Sequence, residues 1–188
     1  MLNCILLLMR REIFAEIEIP HGVEVKLDGE MLVVKGPQGE NKKKFSFKKL
    51  FFEIKDKKIK IGSKIATKRE KKMINTNEAH INNMIKGVQE KYEYKLKVCF
   101  NHFPITVSAE KNLVSVKNFL GEKTPRKVLL PAGADVKINK DLITITSTDK
   151  EIAGQAAANL ETVTRIRLRD RRVFQDGIFI TNKAGEEM

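Results

Sequence analysis

Tryptophan is absent from this 188-residue chain, tyrosine occurs twice, and aromatic residues reach only 6%. That scarcity argues against a protein that reads single strands by stacking successive bases on aromatic platforms. Cysteine is also scarce. Cys4 and Cys99 are too few for a disulfide framework or a four-thiolate zinc site, and they favour a reducing compartment. No apolar run approaches the roughly 18 residues needed to cross a bilayer. The longest, Leu2 with Cys4–Met9, has no basic residue ahead of it, which is unlike a secretory signal. These absences point to a soluble intracellular protein that makes no use of a membrane.

Positive charge, by contrast, is in excess. Lys and Arg number 36 against 24 Asp and Glu, a formal net charge of +12, and the hydrophobic fraction of 41% is ordinary for a folded chain. Length suits one large domain or two small ones, and the charge suits a polyanionic partner. The excess sits in two zones. Fourteen Lys/Arg face three Asp/Glu between Asn41 and Lys72, and five Arg face one Asp between Arg165 and Arg172. Lysine meets phosphate as a mobile point charge, whereas arginine offers a planar fork, so the arginine zone reads as the more structured contact.

The chain also resembles itself. Laying Gly22–Lys44 over Pro104–Arg126 brings Val23 onto Ile105, Val25 onto Val107, Leu32 onto Val114, Val34 onto Val116 and Gly39-Glu40 onto Gly121-Glu122. Ile59–Ser63 then resembles Ile143–Ser147, and each copy runs on into a helical stretch. Val23, Val25 and Leu27 alternate with charged residues at strand period, and Asp28-Gly29 supplies a turn before Leu32 and Val34. Ile74, Ile81, Ile85 and Val88 predict an amphipathic helix from about Arg69 to Glu90. Ile152, Ala156, Leu160 and Val163 predict a second, capped by Thr148 or Asp149 with Glu151 in its first turn. The expected fold class is α+β, with two tandem similar domains, each an antiparallel sheet with one helix packed on one face. The join is expected near Cys99–Phe103. That gives an N-terminal domain over 9–98, its duplicate over 99–173 and a tail over 174–188.

Little here resembles catalytic chemistry. Gly36-Pro37-Gln38-Gly39 lacks the Lys-Ser/Thr ending of a phosphate-binding loop and reads as a tight turn. His21, His80 and His102 share no ligand spacing, so no metal is expected, and His80 reads as an interface or surface residue. Cys99 and His102 could form a nucleophile and base only if something oriented the histidine, and nothing nearby does. No pair of carboxylates shares a face in a setting that would separate their pKa values. Phe45, Phe47, Phe51 and Phe52 lie among Lys42, Lys43, Lys44, Lys48 and Lys49. At period two they read as core rather than as a stacking platform. Arg165, Arg167 and Arg169 would form a comb on one face of an extended segment, with guanidinium groups about 6–7 Å apart and Ile166 and Leu168 facing the protein.

Three motifs carry a family resemblance. They are Arg169-Asp-Arg-Arg-Val-Phe-Gln-Asp-Gly-Ile-Phe-Ile180, Gly154-Gln155-Ala-Ala-Ala158 and Asn118-Phe-Leu-Gly-Glu-Lys-Thr-Pro-Arg126. Together they resemble the family of the sixth universal large-subunit ribosomal protein, in its archaeal and eukaryotic branch, over roughly Arg10 to Lys183. Phe179 stands where that branch commonly has Tyr. The resemblance implies a non-enzymatic protein without cofactors, monomeric within the cytoplasmic ribosome. It would bind large-subunit rRNA beside neighbouring ribosomal proteins, near the sarcin–ricin loop and the translation factors. Carried over by motif, the RNA-facing residues are Lys123, Arg126 and Lys127 with Arg165, Arg167, Arg169, Arg171 and Arg172. In the Lys-rich zone Lys42, Lys43, Lys44, Lys68 and Arg69 are candidates for secondary RNA contact, the plain alternative being a solvated face. Phe174 reads as an anchor and Asp176-Gly177 as a turn. The family opens close to Met9-Arg10-Arg11-Glu12, so Met1–Leu8 is expected to be an over-extended start, the alternative being a genuine apolar peptide that docks on a partner. The rival readings are a free-standing RNA-binding or RNA-chaperone module, which sucrose-gradient sedimentation would separate from a ribosomal protein, and an enzyme using Cys99 and His102.

Overall fold

The computed structural model of the protein describes residues 11–45, 50–55 and 58–187; Met1–Leu8 and the Phe47, Lys48 and Lys49 positions lie outside them. The chain divides into two units, one ending at Glu90 and the next beginning at Lys91.

The first unit runs β1 (Arg11–Glu18), β2 (Glu24–Asp28), β3 (Met31–Gly36), β4 (Gly39–Lys44), β5 (Phe51–Lys55), β6 (Lys58–Ala66) and α1 (Lys68–Gln89). These strands make two three-stranded antiparallel sheets, β2-β3-β4 and β1-β6-β5. The expected hairpin forms one residue on, with Gly29-Glu30 as the loop between the paired Asp28 and Met31 and a φ of 64° at the glycine. Leu32, Val34, Phe45, Ile59 and Ile61 from the sheets meet Ile74, Ile81, Ile85 and Val88 of α1 in one core. Each fully buried Leu or Ile there contributes roughly 1.5–3 kcal/mol. Phe45 therefore is core, as its period implied, although Phe51 is exposed on the sheet's other face. At the start of α1 the Thr67 N–H donates to the Glu70 carboxylate (3.0 Å), the reciprocal half of a capping box.

The second unit runs β7 (Tyr92–Cys99), β8 (Thr106–Glu110), β9 (Leu113–Lys117), β10 (Arg126–Leu129), β11 (Asp135–Asn139), β12 (Leu142–Ser147), α2 (Lys150–Val163), β13 (Gly177–Lys183) and β14 (Glu186–Glu187). Its sheets are β8-β9-β10 and β11-β12-β7-β13-β14. Here α2 begins as expected, the Asp149 side chain accepting from the Glu151 N–H (2.9 Å). Its buried face is Ala153, Ala156, Ala157 and Leu160, while Ile152 and Val163 are only half-buried. The small side chains let the helix backbone lie close to the sheet.

The duplication is visible strand by strand. β2-β3-β4 recurs as β8-β9-β10, the order β1-β6-β5 recurs as β7-β12-β11, and each repeat closes with its helix. Each unit thus has two antiparallel sheets where one was expected. Two boundaries move with this pattern. Tyr92–Cys99 is the counterpart of β1 and pairs with β12 and β13, so a domain ending at residue 98 would cut through the second sheet. Nor is 174–188 a tail, since β13 lies along β7 from Gly177↔Cys99 to Lys183↔Tyr94. Residues 164–187 are instead an addition to the second repeat without counterpart among the described residues of the first. Among the described residues no helix is long and apolar enough to cross a membrane.

Candidate nucleic-acid interface

The arginine zone lies inside that addition, in the loop joining α2 to β13. Thr164, 3% exposed, closes the neck of this loop. Its Oγ1 donates to the Glu161 carbonyl (3.2 Å) and accepts from the Ile178 N–H (3.0 Å), tying the end of α2 to the start of β13. Gly177 has a φ of 155°, and a Cβ there would sit 3.4 Å from both Thr164 Oγ1 and the Phe179 ring, so the neck favours glycine. Within the loop Asp170 builds a turn. Its side chain accepts from the Arg172 N–H (2.9 Å) and its carbonyl accepts from the Val173 and Phe174 N–H groups (3.2 and 3.0 Å). The zone's single carboxylate is thus engaged by backbone, and no ion pair joins it to an arginine among the described residues.

Arg165, Arg167, Arg169, Arg171 and Arg172 are all exposed, and none has a salt bridge among the described residues. The backbone is not the expected comb. No described strand pairs with residues 165–169, and Leu168 takes a φ of 59°, which turns the chain. Ile166 packs on the core as anticipated, but Leu168 is fully exposed instead of facing the protein. The arginines are consequently carried on a bend and not on a strand. Arg169 lies over the Phe174 ring with its guanidinium carbon 4.9 Å from the centroid, so Phe174 supports an arginine as well as anchoring the loop.

Two grooves flank the loop. One, of about 640 Å³, brings Arg126, Arg165, Arg167 and Arg169 together; the other, of about 830 Å³, has Arg165 and Arg171 among its lining residues. Arg126, expected to face RNA, is largely committed within the protein. Its Nε and Nη2 donate to the Glu122 carboxylate (2.8 and 2.5 Å), its Nη1 donates to the Val163 carbonyl (2.8 Å), and its carbon lies 4.3 Å from the Phe119 ring centroid. Three of the five N–H donors are taken. The Glu122 carboxyl is held below the usual carboxylate range, first by the Arg126 hydrogen bonds. Burial opposes the shift, and the charges of Arg126 and Arg169 add to it. By capping the last turn of α2 at Val163, Arg126 positions the loop that starts one residue later.

Lys123 and Lys127 are exposed. On β10 the half-buried Arg126 and Val128 alternate with exposed Lys127 and Leu129, which puts Lys127 on the face opposite the arginine groove. Lys123 and Arg172 line neither groove. In the first unit the three lysines of β4 meet side chains of the same unit. Lys42 pairs with Glu40 (2.9 Å), Lys44 pairs with Glu30 (3.2 Å), and Lys43 Nζ lies 3.1 Å from His80 Nδ1. His80 also meets Phe45 edge-on, an interface residue. Lys68 and Arg69 remain exposed on the first turn of α1, without an ion pair among the described residues. Sequence reasoning missed Glu122 as the partner of Arg126, although the two stand four apart inside one quoted motif.

A family model described as ribosomal protein L6 matches this chain twice, over residues 19–91 and 103–177. The chain belongs to the ribosomal protein L6 family. It is 44% identical over 168 residues to the large ribosomal subunit protein uL6 of Methanobrevibacter smithii, covering 89% of this chain and 94% of that one. With the protein of the same name from Methanococcus vannielii it shares 42% over 171 residues (91% and 94%), and with that of Archaeoglobus fulgidus 40% over 184 residues (94% of each). The family's proteins are structural and non-enzymatic, and this chain is a structural constituent of the large subunit of the cytoplasmic ribosome. The rival reading of an enzyme using Cys99 and His102 is thereby set aside.

Proposed function

We propose that the second unit binds large-subunit rRNA through the loop between α2 and β13, with Arg165, Arg167, Arg169, Arg171 and Arg172 as the principal phosphate contacts. One observation carries this reading. Five exposed guanidinium groups share a loop tied at its neck, and none meets a carboxylate of the described residues in an ion pair. Charge unmatched at home is available to a polyanion. Lys123 and Lys127 are secondary contacts, and Lys68 and Arg69 are candidate contacts from the first unit. Arg126 acts here by positioning the loop. Neighbouring large-subunit proteins are further partners. On the family resemblance alone, the RNA lies near the sarcin–ricin loop and the translation-factor region.

Replacing Arg167 and Arg169 together by alanine should weaken binding to a large-subunit rRNA fragment. It should also lower the slope of log K against log salt by roughly 1–2, because fewer counterions are released. Filter binding across a salt series reads both. An unchanged slope would remove these two arginines from the interface.

A further inference from the structure

The groove of about 830 Å³ contains one group that the phosphate reading does not use. Asp176 lines it and is only 7% exposed. Oδ1 of its carboxylate accepts from the Asn101 N–H (3.0 Å), whereas Oδ2 has no hydrogen-bond partner among the described residues. Arg165 and Arg171 line the same groove, yet neither forms an ion pair with Asp176. Oδ2 keeps access to water, so an N–H donor arriving in the groove would replace a solvent contact on a carboxylate that the Asn101 N–H already holds in place. Phe100, 42% exposed, supplies an aromatic face in the same wall.

We propose that this groove receives a single unstacked RNA base carrying an exocyclic amino group, with Asp176 as its acceptor and Phe100 as its stacking face. The inference rests on the RNA reading above and names what that RNA presents. Proteins read RNA sequence chiefly at loops and bulges, where a base can leave the stack and meet an aromatic ring or guanidinium plane. Arg165 and Arg171 would hold the phosphates on either side of such a base. Adenine, cytosine and guanine each bring an amino donor. Uracil flanks its one N–H with two carbonyl oxygens, which a carboxylate repels. The scarcity of aromatics argues against a run of platforms, but one seat needs one ring.

The test uses the full chain and a set of RNA hairpins that share one stem and differ by a single bulged C, A, G or U, or by none. Hairpins with bulged C, A or G should bind about tenfold more tightly than those with bulged U or no bulge, the size expected of one stacked base. Phe100→Ala should bring every bulged hairpin to the level of the unbulged one. Asp176→Asn should invert the preference. Its amide oxygen stays with the Asn101 N–H and its NH2 turns to the groove, so bulged U gains and bulged C loses. A misfolded variant cannot produce such a gain. Binding blind to the bulged base, or an equal loss for all hairpins in Asp176→Asn, would overturn the seat while leaving salt-sensitive binding of the unbulged hairpin intact. If the unbulged hairpin is not held at all, the arginine reading fails first and this one with it.

Discussion

Arg126 illustrates why a cation's role depends on what surrounds it. Truncation to alanine removes the fork on Glu122 and the cap on the Val163 carbonyl. With both groups partly solvated, the cost should be about 1–3 kcal/mol in urea unfolding. Lysine should recover little, having no planar fork. Because the Glu122 carboxyl is depressed in the folded state, its stabilisation is complete above the ordinary value of 4.5 and is lost as pH falls through the depressed one. Glu122→Gln should therefore lower stability at neutral pH, and the gap to the parent protein should close as both are acidified below 4.5. A gap constant with pH would show that the carboxylate contributes only shape. The sequence could count Arg126 as a cation within a family motif. It could not show that the Val163 carbonyl, 37 residues away, lies against it. Asp176-Gly177 reads as a turn, but Gly177 opens β13 and Asp176 lies just ahead of it, its depth set by Asn101, which the pairing of β7 with β13 brings over.

Among elements, those with strong periodicity were the readable ones. The stripe Ile74, Ile81, Ile85 and Val88 marked α1 to within a residue, and Asp149 capped α2 as its chemistry required. The arginine segment failed as a strand because alternation describes side chains, whereas a strand also needs a neighbour for its backbone groups. Residues 165–169 have none among the described strands. Strand packing in the first unit offers a sharper test. Gly62 on β6 lies between Phe14 on β1 and Phe51 on β5 in the registers Phe14↔Gly62 and Phe51↔Gly62. A Cβ there would come within 2.3 Å of the Phe14 ring and 2.4 Å of the Ile13 carbonyl oxygen. The ring can rotate, but the backbone oxygen cannot move without disturbing the β1–β6 ladder. Gly62→Ala should thus cost about 1–3 kcal/mol, read by thermal unfolding. Gly29→Ala, with open space around it, should cost only the strain of its positive φ, about 1 kcal/mol.

At the scale of the molecule the duplication was readable, but its phase was not. Matching residues began at β2 and β8, so the strand that opens each copy escaped the alignment and the join was set one strand late. A fragment beginning at Lys91 should fold, whereas one beginning at Cys99 should not. The latter removes the strand on which β12 and β13 both pair. Amide dispersion in NMR spectra of the two fragments distinguishes these outcomes. The knot of hydrogen bonds at Thr164 has a consequence of its own. It turns what would be a trailing arm into a short closed span, where like charges are confined together before any ligand arrives. Their mutual repulsion is already present in the unbound protein, and an incoming anion relieves it without first having to order a floppy chain.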